Sequence, residues 1–109
     1  VPTAYKVLGQ SAPSATTDTN VYTVPSATEA VISTITIANR AGTTATYRIA
    51  VRPDGASIGN QHYIVYDATV GALDTVCLTI GLTLNAADVI TVYASSANLS
   101  FGVFGSEIS

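Results

Sequence analysis

The chain has 109 residues, 48% hydrophobic and only 10% charged, and four basic against seven acidic side chains leave a net charge of −3. So apolar a chain with so little charge excludes a disordered polyelectrolyte, and Lys6, Arg40, Arg48 and Arg52 form no basic stripe that could track a phosphate backbone. Val, Ile and Thr supply 37 residues, the stiff branched side chains that suit a pleated sheet, and no apolar run approaches the roughly 18 residues of a membrane-spanning helix.

The mass predicts a folded surface of roughly 5,600 Å², enough to bury about 65% of the extended chain in one modest core. A single domain over residues 1–109 follows. The start, VPTAYKVLGQ, has neither the charged nor the apolar region of a secretory leader. Cys77 is the sole cysteine, so stability must come from sheet pairing, burial and neighbouring subunits.

A first strand is expected at Tyr5 to Leu8. Residues 10 to 20, QSAPSATTDTN, hold no hydrophobe larger than alanine and read as an exposed loop or arm, either an interaction arm or a mobile linker. Strands follow at Val21 to Val24 and Val31 to Ala38. In the latter, strict alternation puts Val31, Ile35 and Ile37 on one face and Ile32, Thr34, Thr36 and Ala38 on the other. The Ser26-x-x-Glu29 spacing matches a helix capping box, but VISTITI lacks helix formers and alternates with period 2.

Asn39 to Gly42 turns into a strand over Thr43 to Arg52, with Ala45, Tyr47, Ile49 and Val51 inward and Thr44, Thr46, Arg48 and Arg52 outward. The two arginines suit either a partner carboxylate or a solvated face. Pro53-Asp54-Gly55 closes that strand, with proline pre-setting φ and glycine accepting a positive one. His62 to Val70 places Tyr63 and Val65 on one face and Ile64, Tyr66, Ala68 and Val70 on the other. Thr75 to Leu84, Val89 to Ser95 and Leu99 to Phe104 complete about eight short strands, with Gly81 as the expected bulge. The fold class is an all-β, antiparallel two-sheet sandwich, immunoglobulin-like or jelly-roll-like. Truncating Leu78, expected on the core face, is predicted to cost about 2–4 kcal/mol.

No catalytic, cofactor-binding or metal-binding residue emerges, and the chain reads as a non-enzyme. His62 is the only imidazole and is expected at a strand start or on the surface; Cys77 is expected to fill a small buried space. The acidic residues are scattered, and several sit in turns where a carboxylate bonds to the backbone; a calcium ion held by Asp54, Asp74 or Asp88 is a weaker reading. Neither a phosphate-cradling glycine loop nor a nucleophile elbow occurs. Asn98-Leu99-Ser100 is formally a glycosylation acceptor, with Asn98 read as a turn residue. Tyr5, Tyr22, Tyr47, Tyr63, Tyr66 and Tyr93 could line a carbohydrate groove, but strand cores and subunit contacts are the stronger account of them, since tyrosine favours both.

The segments YKVLGQSAPSATTDTNVYTVPSATEAVISTITIANRAGTTATYRIAVRPDG, HYIVYDATV and LTIGLTLNAADVITVYASSANLSFGVFG resemble small virion structural proteins of tailed bacteriophages, most closely the capsid cement or decoration proteins of cyanophage-like viruses. The resemblance spans nearly the whole chain. It implies a β-sandwich without catalytic residues on the outer surface of a capsid, bracing capsomer junctions through contacts with the major capsid protein and with other copies of itself. By position, the interface candidates are Gln10, Ser14, Thr17, Asp18 and Asn20 on the arm, then Arg40, Arg48, Arg52, Asp54 and Asn60. The alternatives are a neck or tail subunit and a carbohydrate-binding sandwich module.

Overall fold

The computed structural model describes residues 2–109. Eight strands form: β1 (Thr3–Ser11), β2 (Thr19–Thr23), β3 (Glu29–Asn39), β4 (Ala45–Arg52), β5 (Tyr63–Val70), β6 (Thr75–Leu84), β7 (Val89–Ala94) and β8 (Leu99–Ile108). Short 3-10 turns occur at Pro53–Gly55 and Asn60–His62. All eight predicted strands are present, and β1 and β8 run several residues longer than alternation alone suggested.

The strands make two antiparallel four-stranded sheets, one ordered β1-β8-β3-β6 and the other β2-β7-β4-β5. Strands 4 and 5, 3 and 6, 2 and 7, and 1 and 8 are hydrogen-bonded pairs, as if one long hairpin had been folded at its centre and then rolled up. Closing the roll adds β3 against β8 and β4 against β7. This connectivity is that of an eight-stranded jelly roll, which decides between the two sandwich types the sequence left open. The accessible surface, 5426 Å², is close to that expected for the mass.

The core lies between the sheets. Ile32, Ile35 and Ile37 of β3 meet Ile49 of β4, Ile90 and Val92 of β7, and Leu99, Phe101 and Val103 of β8, all essentially without solvent exposure. Tyr47 and Phe101 cross edge to face with ring centroids 6.3 Å apart. The four central strands carry this burial because they have neighbours on both sides. At the edge of its sheet, β6 alternates as cleanly as they do, yet Val76, Leu78, Ile80 and Leu82 are only half-buried. The cost of truncating Leu78 therefore falls toward the lower end of its expected range.

Two predicted face assignments change, for one physical reason. An extra residue in one strand of a pair reverses the alternation beyond it. In β3 the register slips between Ile32 and Thr34, so Ser33 and Thr34 together oppose Phe104, and Ala30 and Ile32 turn inward while Val31 turns outward. In β5 the register slips twice against β4, placing Val65, Ala68 and Val70 inward and Tyr63 and Tyr66 together on the outside.

Asn39 fixes the loops at one end. Its buried side-chain Nδ2 donates to the carbonyls of Thr43 at 2.8 Å and Gly71 at 3.1 Å, and its Oδ1 accepts from the Ala41 amide at 3.0 Å. One side chain thus ties the β3–β4 loop to the β5–β6 turn. Arg40 beside it donates from Nε to Ser100 Oγ and from Nη2 to the Ala97 carbonyl, both at 2.9 Å, which anchors the β7–β8 turn.

Candidate interaction surfaces

The register pairs define what each sheet presents to solvent. On the first sheet the outward rows are Thr3–Ile108–Glu29, Tyr5–Ser106–Val31–Thr83, Val7–Phe104–Thr34–Thr79, Gln10–Gly102–Thr36–Cys77 and Ser100–Ala38–Thr75. Across four strands the only charged side chain is Glu29, at one end. Tyr5 is 85% exposed and Val7 is 50% exposed. Phe104 leans over Gly102: a Cβ at Gly102 would lie 2.8 Å from the Phe104 ring and 2.8 Å from Thr36 Oγ1. Cys77 belongs to this face and is exposed, which corrects the expectation of a buried thiol. The edge position of β6 explains it, because the residue opposite Leu78's side of the strand has nothing stacked above it.

The second sheet presents different chemistry. Its outward rows are Thr23–Val89–Arg52, Asn20–Thr91–Ala50–Tyr63 and Thr46–Thr69, with Tyr93 opposite Arg48. Opposite Arg48, β5 contributes two residues, Tyr66 and Asp67, because the register passes from Tyr47↔Ala68 to Ile49↔Val65. Asp67 takes the extra position with φ +52°, a left-handed conformation that aspartate tolerates better than most residues. The bulge brings a ring and a carboxylate to the same guanidinium. Arg48 Nε donates to Asp67 Oδ1 at 2.6 Å, and its Cζ lies 4.3 Å from the Tyr66 centroid and 4.2 Å from that of Tyr93. The bond to Asp67 holds the Arg48 proton more tightly than usual. Tyr63 meets Tyr66 edge to face, with centroids 4.9 Å apart.

A second polar cluster lies along the same sheet. Arg52 donates from Nη2 to Asn20 Oδ1 at 2.9 Å, from Nε to Thr91 Oγ1 at 3.0 Å, and from Nη1 to the carbonyls of Gly55 and Ala56. Asp18, Asn20, Arg52, Ile58 and Thr91 line a depression there of about 260 Å³.

The ten residues singled out from the sequence thus fall into groups. Asp18, Asn20 and Arg52 come together at that depression, and Arg48 and Asn60 flank the tyrosines. Gln10 lines a shallow hollow with Ser100, the residue held by Arg40. Ser14 and Thr17 stay exposed on the β1–β2 connection, whose Thr16 amide is bonded to the Ala94 carbonyl. Asp54 has φ +53°, and its amide donates to Asp88 Oδ1 at 3.0 Å. Asp88 Oδ2 also accepts from the Asn85 amide and Asp74 Oδ1 from the Thr75 amide, so these two turn carboxylates serve the backbone. No group of three His, Cys, Asp or Glu side chains that could hold a metal ion occurs among the described residues. His62 sits just ahead of β5, its Nδ1 accepting from the Gly59 amide at 2.9 Å.

Sequence reasoning missed the grouping of Tyr66 and Tyr93 around Arg48, with Tyr63 against Tyr66, and it missed Glu107. Of the six tyrosines, Tyr22 and Tyr47 are buried, Tyr5 stands on the first sheet, and the other three share the outer face of the second. Comparison of the chain with protein-family models, with curated proteins and with solved structures finds no match in any of the three.

Proposed function

We propose that this chain is a non-enzymatic virion structural protein of the capsid-decorating kind, which lays the outer face of its β1-β8-β3-β6 sheet on an assembled shell and touches neighbouring copies of itself. The observation that carries this reading is the chemistry of that face, where four strands of hydroxyl and apolar side chains hold one marginal carboxylate. Covering such a surface removes apolar area from water and desolvates no ion pair, and interface centres are depleted in charge for the same reason. The jelly roll recurs in viral capsid domains, which is an argument by analogy and secondary to the surface.

Magnitudes shape the mode of binding. Four strands at about 4.8 Å spacing and about eight residues at 3.3 Å each make a patch of roughly 500 Å². A standard interface buries about 800 Å² per partner, so one such contact is weak by itself. Repetition across a shell, with lateral contacts between copies, supplies the remaining affinity through high effective concentration.

The test is co-sedimentation with shells that lack this chain. Saturable binding is expected, lost when charge is placed on the first sheet by Val7→Glu with Thr79→Glu, and retained with Thr69→Glu on the second. Wild-type protein that fails to saturate shells, or binding indifferent to the charges on the first sheet, overturns the reading. Cryo-EM density for the chain at the neck or tail axis would overturn the capsid location.

A further inference from the structure

We propose that the outer face of the second sheet holds a saccharide site, in which an uncharged pyranose packs on the Tyr63–Tyr66 pair and hydrogen-bonds through its hydroxyls to Asn60 and to the Arg48–Asp67 pair. The site is independent of shell binding, because it lies on the opposite sheet of the molecule.

The two bulges of β5 build the site. Without them Tyr63 would share the inward parity of Val65; with them both rings stand outside, perpendicular to one another, at 4.9 Å. Tyr66 keeps 59% of its surface exposed. Asn60, Tyr63 and Tyr66 wall a depression of about 370 Å³, within the roughly 300–1,000 Å³ of small-ligand clefts. Tyr63 is half-buried and Tyr66 exposed, and neither ring belongs to the core beneath them.

The surrounding polar groups select the ligand class. Arg48 and Asp67, which adjoin the depression through Tyr66, neutralise each other and present no net charge beside it to a phosphate or an ammonium group. Both are held in place: Arg48 by two rings and a carboxylate, Asp67 by the bulge backbone. Asp67 Oδ2 lies 3.4 Å from Arg48 Nη2, a loose contact that leaves lone pairs for a hydroxyl donor, while guanidinium N–H groups remain for a hydroxyl acceptor. Asn60 adds an amide with both functions. A pyranose combines what this surface accommodates, an apolar C–H face for the rings and vicinal hydroxyls that donate and accept at its edge. A nucleobase or a polyproline segment would use the rings and leave most of these donors and acceptors unmatched.

Amide-resolved NMR titration tests this directly. The probes are neutral hexasaccharides of α- and β-linked glucose, of mannose and of galactose, with a proline decapeptide and AMP as competitors in class. At least one hexasaccharide is expected to shift the Asn60, Tyr63, Tyr66 and Asp67 signals saturably, with a Kd at or below about 1 mM. Tyr66→Ala should weaken that binding by about tenfold or more, Asp67→Asn by a smaller factor, and Tyr5→Ala on the other sheet not at all. Tyr66 is largely exposed, so its truncation leaves the fold intact, and an unchanged spectrum away from the site verifies this. No saccharide binding up to about 10 mM, binding unaffected by Tyr66→Ala, or saturation by the proline peptide or AMP in place of sugar overturns the proposal.

Discussion

The hydroxyl of Tyr22 donates to Glu107 Oε2 at 2.6 Å, joining β2 of one sheet to β8 of the other over 85 positions of sequence. Lys6 Nζ reaches the second oxygen of the same carboxylate at 2.7 Å. Glu107 is therefore held from both sides at the rim of the core. The lysine hydrogen bond, with the tyrosine's behind it, keeps its carboxyl below the usual glutamate range. Burial first, and then the bond to Glu107, pushes the Tyr22 phenol well above its ordinary value.

Tyr22→Phe is expected to destabilise by about 1 kcal/mol in chemical denaturation, the net worth of one hydrogen bond to a charged, half-wet acceptor. Both partners titrate, and the signs differ. A carboxyl depressed in the folded state contributes stability present above its unfolded value, about 4.3, and lost as pH falls through the lower folded value. A phenol raised in the folded state contributes stability present below about 10 and lost as pH climbs beyond it. In Glu107→Gln the acid-side loss should shrink; an acid limb identical to wild type would remove Glu107 from this role.

Ile49 and Leu78 separate burial from pattern. Both sit on inward positions of alternating strands, yet Ile49 has no exposure and Leu78 is half-buried on an edge. Ile49→Ala is expected to cost about 3–4 kcal/mol and Leu78→Ala about 2 kcal/mol. Equal values from urea titration would contradict the edge placement of β6.

Backbone geometry predicts opposite effects at two positions. Ala87 has φ +71° in the β6–β7 turn, where a Cβ is strained, so Ala87→Gly should stabilise by about 0.5–1 kcal/mol. At Gly105 a Cβ would collide with the Val31 carbonyl at the β3 bulge, and Gly105→Ala should destabilise by about 1–3 kcal/mol. Thermal melts of the two variants should move in opposite directions.

Asn39→Ala removes three good hydrogen bonds from a buried position and leaves the Thr43 and Gly71 carbonyls short of a donor. A loss of about 2–3 kcal/mol is expected, with faster amide exchange in both connected loops. Exchange unchanged in the β5–β6 turn would show that the clamp does not hold it.

Cys77 reports on the first sheet's face. In the free protein the thiol should react stoichiometrically with an aromatic disulfide reagent without denaturant, because it is exposed. On a shell it should become protected if that face is the covered one. A thiol unreactive in the native monomer would contradict its outward placement.

Sequence alone determined the strand content. Valine, isoleucine and threonine at period 2, punctuated by turn residues, admit little besides short strands, and the inward sets of β4 and β7 follow from alternation because those strands run unbroken. Three things required the tertiary structure. Strand order did, since pairing β1 with β8 and β2 with β7 is a long-range choice among similar edges that no local spacing encodes. So did burial: β6 and β3 share a pattern, but only β3 has a neighbour on each side. The bulges at Ser33 and in β5 were decisive, because one additional residue reverses every face beyond it. Alternation therefore put Tyr63 with Val65, while the folded chain sets Tyr63 beside Tyr66 and brings Asp67 to Arg48. The same slips sort the outer surfaces into one sheet face whose only charge is Glu29 at its end and one that is aromatic and polar, and that division carries both functional proposals.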